Sequence, residues 1–138
     1  MNRTEIEKVL PHRSPMLLVD EVQMDGEYCV SSYKVRGDEP FLSGHFPDNP
    51  IVPGVILCEI MAQGACLLTP LDANKNLPVL AGMEKVRFKK NAVPGDVITS
   101  RARIISQKAN IIVIESKATT ADGKICCSAQ LTIAVLTV

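Results

Sequence analysis

The sequence predicts an α+β fold, an antiparallel sheet wrapped around one central buried helix, and three features carry that prediction. From Gly54 to about Leu68 the chain is apolar or small almost throughout, with Glu59 and Gln63 as its polar positions. A helix that is apolar all round is buried on all sides. Four strand-like runs follow, Val79 to Lys89, Val97 to Ser106, Asn110 to Thr119 and Ile125 to Leu136, with turn signals at Val93-Pro94-Gly95-Asp96 and Asp122-Gly123. At 138 residues the chain has room for one core, so residues 1–138 form a single domain. Helix and strands must then bury one another, which a sheet curling around the helix achieves most economically.

The elements follow in order. Ile6, Val9 and Leu10 mark one face of a short N-terminal helix that Pro11 ends. Met16 to Val22 reads as a strand, and Asp25-Gly26 signals a hairpin into a second strand, Tyr28 to Val35. From Arg36 to Pro53 two glycines and four prolines forbid regular structure, so an ordered loop is expected. The central helix, some 15 residues or roughly 22 Å long, is followed by a polar loop, Asp72 to Asn76.

Composition excludes several classes of function. Fifteen basic and fifteen acidic residues cancel, and aromatics are 4% with no tryptophan, so nucleic acid is not an expected partner. No run approaches the ~20 apolar residues of a membrane span, and the N-terminus carries no apolar leader core. Five cysteines without a C-x-x-C pair read as small core residues of a reduced cytoplasmic protein. With only His12 and His45 available and no cysteine–histidine cluster, neither a metal nor another cofactor is expected.

The chemistry concentrates where Gly44-His45-Phe46-Pro47-Asp48-Asn49-Pro50-Ile51-Val52-Pro53-Gly54 leads into the apolar helix. Glu59 is that helix's one formal charge, and desolvation disfavours a carboxylate's charged form there. Acid–base chemistry with His45 supplies a reason for it, because histidine titrates near neutrality. Read alone, Glu59 is equally a buried glutamate paired with a base such as Arg87, and His45 a hydrogen-bonded loop residue. His12, in its Pro-His-Arg setting, reads as a structural residue capping the N-terminal helix. Gln63, one turn beyond Glu59, either fixes the Glu59 rotamer or bonds a backbone carbonyl.

Three ordered motifs also carry a resemblance. Leu10-Pro11-His12-Arg13-Ser14-Pro15-Met16-Leu17-Leu18-Val19-Asp20, the Gly44-His45-Phe46-Pro47 loop, and Pro53-Gly54-Val55 with Glu59, Ala62 and Gln63 resemble the FabZ-type 3-hydroxyacyl-acyl carrier protein dehydratases. The resemblance continues through Leu80 to Phe88 and Val93-Pro94-Gly95-Asp96. The helix-in-sheet arrangement predicted above is that of the hot-dog fold, which this family also has.

The resemblance implies dehydration of (3R)-3-hydroxyacyl thioesters on acyl carrier protein to trans-2-enoyl thioesters in fatty-acid elongation. It assigns His45 as the base at C2 and Glu59 as the acid at the C3 hydroxyl. It also implies a homodimer whose sites take histidine and glutamate from different subunits, assembled as a homohexamer, a trimer of dimers. The amides of Gly54 and Val55, at the positive end of the helix, can stabilise the thioester oxygen. Ile51, Val52, Ile56 and Leu80 are candidates to line an acyl tunnel or to pack the core. Lys85, Arg87 and Lys89 alternate on one strand face, and Lys89 or Lys90 is the candidate for docking the acidic carrier protein. A glutamate at position 59 favours plain dehydration over the isomerising branch, which commonly has aspartate. The competing readings are a bifunctional dehydratase/isomerase forming cis-3 product, a thioesterase, and a non-catalytic acyl-binding subunit.

Overall fold

A computed structural model describes residues 1–46 and 48–138; Pro47 of the histidine loop lies outside the described residues. The order is α1 (Arg3–Ile6), β1 (Glu21–Asp25), β2 (Tyr28–Lys34), α2 (Pro40–Ser43), α3 (Gly54–Gln63), β3 (Asn76–Phe88), β4 (Val97–Lys108), β5 (Ile111–Thr119) and β6 (Ile125–Thr137). The strands form one six-stranded sheet in the order β1-β2-β4-β5-β6-β3, antiparallel at every pairing. Helix α3 packs against β3, β4, β5 and β6. Leu57, Cys58, Ile60 and Met61 of α3 join Ile98, Ile114, Ala118, Cys127 and Leu131 of the sheet in the main core. A second cluster, with Ile6, Leu10, Leu17, Val19, Val22, Cys29 and Cys66, lies beneath the N-terminal segment.

The first predicted strand is corrected. Met16 to Asp20 is not in the sheet, and β1 begins at Glu21. Leu17, Leu18 and Val19 are all buried, so they lack the alternation of a half-exposed strand. Their backbone is satisfied elsewhere: the amides of Met16 and Leu17 donate to the carbonyl of Arg13, and that of Leu18 donates to Gln63 Oε1 at 2.8 Å.

Helix α3 also stops earlier than expected, at Gln63. Beyond it the bonds tighten to the i→i+3 pattern, Ala65 to Ala62, Cys66 to Gln63 and Leu68 to Ala65. Gly64 stands at this change, and a Cβ there would collide with Ser31 Oγ and Ser100 Oγ on the neighbouring strands. The chain at this point is drawn hard against the sheet. Nor is α3 buried on all sides in the protomer: Val55 is 66% exposed, and Glu59 and Ala62, four and seven residues on, are half-buried on the same stripe.

Strand β3 departs twice from regular pairing with β6, between Leu80 and Gly82 and between Glu84 and Arg87. The second irregularity, where Lys85 takes φ 52°, shifts the alternation by one residue. Glu84 faces Gln130 and Arg87 faces Ser128, so Arg87 comes into phase with Glu84 and not with Lys85. The predicted shared face of Lys85, Arg87 and Lys89 is therefore broken.

Candidate active site

Glu59 opens into a cavity of about 240 Å³ between the N-terminal segment, the second half of α3 and the ends of β3, β5 and β6. Leu80, Ile112, Ile133 and Val135 give it an apolar wall, while His12, Glu59 and Gln63 supply its polar end. An apolar cavity with a few convergent polar groups suits a ligand with a long apolar part and one reactive end.

Gln63 settles the choice left open by the sequence, because it does both things at once. Its Nε2 donates to Glu59 Oε2 at 2.8 Å and to the carbonyl of Met16 at 2.8 Å, while its Oε1 accepts from Leu18. The buried amide thus fixes the Glu59 carboxylate and substitutes for a strand neighbour along Met16–Leu18. Arg87 is not the partner of Glu59; its guanidinium donates to the carbonyl of Val86.

His12, read from the sequence as a helix cap, is placed by the structure in the cavity beside Glu59. Its Nε2 lies 3.6 Å from Glu59 Oε2, and it lines the same cavity. It does not cap α1, whose C-cap is Glu7. Arg13 bonds the carbonyls instead, those of Leu10 at 2.8 Å, His12 at 2.7 Å and Glu7 at 3.0 Å. Burial holds the His12 pKa below its ordinary value; the Glu59 carboxylate opposes that shift and Arg13 reinforces it. The usable signal was that His12 is one of only two histidines and directly precedes the segment Gln63 binds.

His45 sits in the loop after α2, with its amide bonded to the Leu42 carbonyl and its ring 4.2 Å from that of Phe46. Its Nδ1 is 3.0 Å from the carbonyl of Ile51. A carbonyl only accepts, so Nδ1 carries the hydrogen and Nε2 presents its lone pair. His45 is not among the residues lining the Glu59 cavity.

Gly54 opens α3, with Pro53 as its N-cap, so the first amides of the helix have no intrahelical acceptor. A Cβ on Gly54 would lie 2.8 Å from the ring of Phe88, which is itself 56% exposed. Of the tunnel candidates, Leu80 lines the cavity. Val52 is buried in the core and Ile56 packs against it, while Ile51 serves His45 through its carbonyl. Lys90 is committed to Asp122 at 2.7 Å and to Thr120 at 2.9 Å; Lys89 is exposed. Among the described residues, no group of three or more His, Cys, Asp or Glu side chains converges as metal ligands.

Residues 10–130 match the FabA-like domain family. The chain belongs to that family. It is similar to 3-hydroxyacyl-[acyl-carrier-protein] dehydratase FabZ of Clostridium perfringens, at 44% identity over 98% of this chain and 99% of the relative. It also resembles the FabZ dehydratase of Staphylococcus carnosus, at 41% identity over 95% of this chain and 92% of the relative. Among solved structures, the dehydratase heterocomplex ApeI:P from Xenorhabdus doucetiae superposes with a TM-score of 0.76 at 23% identity, covering 94% of this chain and 89% of that one. The E. coli PaaI protein superposes at 0.62 with 18% identity over 83% and 81% of the two chains. These structures show the hot-dog fold, and the FabA-like membership places this chain with the FabZ-type dehydratases of that superfamily.

Proposed function

We propose that His45 of one protomer and Glu59 of another form the acid–base pair that dehydrates a 3-hydroxyacyl thioester. The chain is a hydro-lyase of fatty-acid elongation, of the FabZ type. The observation that carries the two-chain reading is that Glu59 has a formed cavity which His45 of the same chain does not line, while the His45 Nδ1 bond to Ile51 leaves Nε2 as a base directed at something else.

In the reaction, His45 Nε2 takes the C2 proton. The C2–H electrons become the new C2=C3 bond, and the C3–O bond breaks with its pair on oxygen. That oxygen takes the proton of Glu59 and leaves as water. The amides of Gly54 and Val55 stabilise charge on the thioester oxygen at the positive end of α3. Each acid or base role is typically worth about 10² to 10⁴ in rate.

The second protomer has a place to bind. Strand β3 has a hydrogen-bonded neighbour on one side only, and Leu77, Val79, Met83 and the α3 residue Val55 are exposed apolar side chains of β3 and α3. An open edge of thirteen residues with such a flank is a pairing surface. A homodimer joined there covers the uncovered stripe of α3, and dimers assemble further as a homohexamer. The carrier is an acyl carrier protein, with exposed Lys89 the better docking cation because Lys90 is neutralised by Asp122. Residues 1–138 act as one domain in the cytoplasm.

The test is turnover of a 3-hydroxyacyl-carrier-protein substrate by wild type, His45→Ala, Glu59→Gln and an equal mixture of the two variants after subunit exchange. Both variants lose activity, and the mixture recovers up to about a quarter of the wild-type rate, since half the dimers are mixed and each holds one intact site. No recovery in demonstrably mixed dimers places both residues in one chain and overturns the reading.

A further inference from the structure

The cavity contains a titratable side chain that the proposed reaction does not use. His12 points Nε2 at Glu59 Oε2 from 3.6 Å, and its Nδ1 is buried with no hydrogen-bond partner among the described residues. That orphan decides the tautomer. A proton on Nδ1 would be a buried, unpaired donor, the costlier kind of unsatisfied group, whereas a bare lone pair there is tolerated. The hydrogen therefore sits on Nε2 and faces the carboxylate.

We propose that His12 is a positioning residue for Glu59, a neutral donor that together with Gln63 occupies Oε2, so that the proton given to the substrate's hydroxyl is carried on Oε1. The inference rests on Glu59 being the acid. An oxygen already facing two N–H donors is the poorer place for a proton, and the Gln63 donor is at 2.8 Å. The His12 contact is longer than a hydrogen bond, as catalytic contacts often are before substrate closes the site. Its origin is nevertheless rigid. Pro11 precedes it, and the Arg13 guanidinium clamps the carbonyls of Leu10, His12 and Glu7. The lone proton on Oε1 then has one direction of delivery, and it cannot be lost to rotation of the carboxyl without breaking the Gln63 bond.

The test compares His12→Gln, whose amide nitrogen lies where the imidazole Nε2 does, with His12→Asn, whose shorter amide stops at the Nδ1 position, and with His12→Leu, which removes the donor. Steady-state kinetics and Tm are measured for each, with Glu59→Gln in parallel. His12→Leu and His12→Asn lower kcat about ten-fold or more with KM little changed, and His12→Gln recovers most of the loss. If His12→Leu does not fold, the Gln and Asn pair carries the comparison. Equal kcat in all folded variants, or equal loss in His12→Gln and His12→Asn, overturns the proposal by reducing His12 to packing. Retained turnover in Glu59→Gln overturns the acid assignment itself, a result distinct from an inactive Glu59→Gln beside fully active His12 variants.

Discussion

Gln63 donates to Glu59 Oε2 across one turn of α3, and that same amide holds Leu18 and Met16 at their backbone. Catalytic geometry and the packing of the N-terminal segment therefore depend on one side chain. Replacing Gln63 with leucine strands the buried Leu18 amide, a loss of about 1–3 kcal/mol, and frees the part-buried Met16 carbonyl. Gln63→Leu is expected to lower both Tm and kcat. Gln63→Glu restores an acceptor for Leu18 but presents a carboxylate to Glu59 and no donor, so it is expected to remain impaired in kcat even where denaturant unfolding shows stability partly regained. Wild-type kcat in folded Gln63→Glu would separate the two roles and refute the coupling.

Gly64 is fixed by close approach. A Cβ would collide with Ser31 Oγ and Ser100 Oγ, which bond one another at 2.8 Å inside the core. Gly64→Ala is expected to cost roughly 1–3 kcal/mol by overpacking. The triple variant Gly64→Ala with Ser31→Ala and Ser100→Ala removes both obstructing hydroxyls as a pair and should regain much of that loss in thermal unfolding. No destabilisation by Gly64→Ala alone would show that the helix end can shift away from the sheet.

Gly54 differs, because the group in the way is mobile. An added methyl meets the Phe88 ring at 2.8 Å, and an exposed ring can swing aside. Gly54→Ala is therefore expected to leave Tm nearly unchanged, while the new methyl crowds the helix amides proposed to receive the thioester oxygen. The measured effect should be a fall in kcat/KM of about ten-fold or more, which Phe88→Ala does not rescue. Rescue by Phe88→Ala would instead trace the defect to the displaced ring.

Much of this architecture was legible in the residues. Period-2 runs and Pro-Gly turns located four of the strands, and the apolar run with two polar positions located α3. What was not legible depended on contacts distant in sequence. Met16–Val22 has a strand's composition, but only Glu21 and Val22 pair in the sheet, and at Leu18 the backbone partner is a side chain 45 residues away. The phase shift in β3 arises at Lys85, a residue with no turn propensity that would announce φ 52°. His12 reads as a helix cap because its place beside Glu59 appears only when Gln63 draws the following segment onto α3. The candidate acid and base could be named from the loop and helix; that they serve one site from different chains was implied by the family resemblance alone, since no local pattern reports which cavity a loop histidine faces.

Acid pH should titrate two groups of opposite kind, one buried and one half-buried. Glu39 is buried and its carboxylate accepts from Tyr33 Oη at 2.6 Å, from the Arg36 amide at 2.9 Å and from the Gly37 amide at 2.7 Å. Burial alone would raise its pKa, but the Tyr33 hydroxyl and those backbone donors outweigh it and hold the group below its ordinary 4.5. A lowered carboxylate pKa contributes stability that is fully present above 4.5 and is lost as pH falls through the folded-state value. His12 is held below its ordinary 6.5 chiefly by burial. Its neutral form is the folded one, so the unfolded chain takes up a proton first and stability declines once pH drops below about 6.5. Denaturant unfolding across pH 7 to 3 is thus expected to show two successive losses. His12→Gln should remove the first and leave the second, and Glu39→Gln should remove the second while lowering stability at neutral pH by about 1–3 kcal/mol. An unchanged profile between pH 7 and 5 in His12→Gln would show that His12 does not resist protonation in the folded protein.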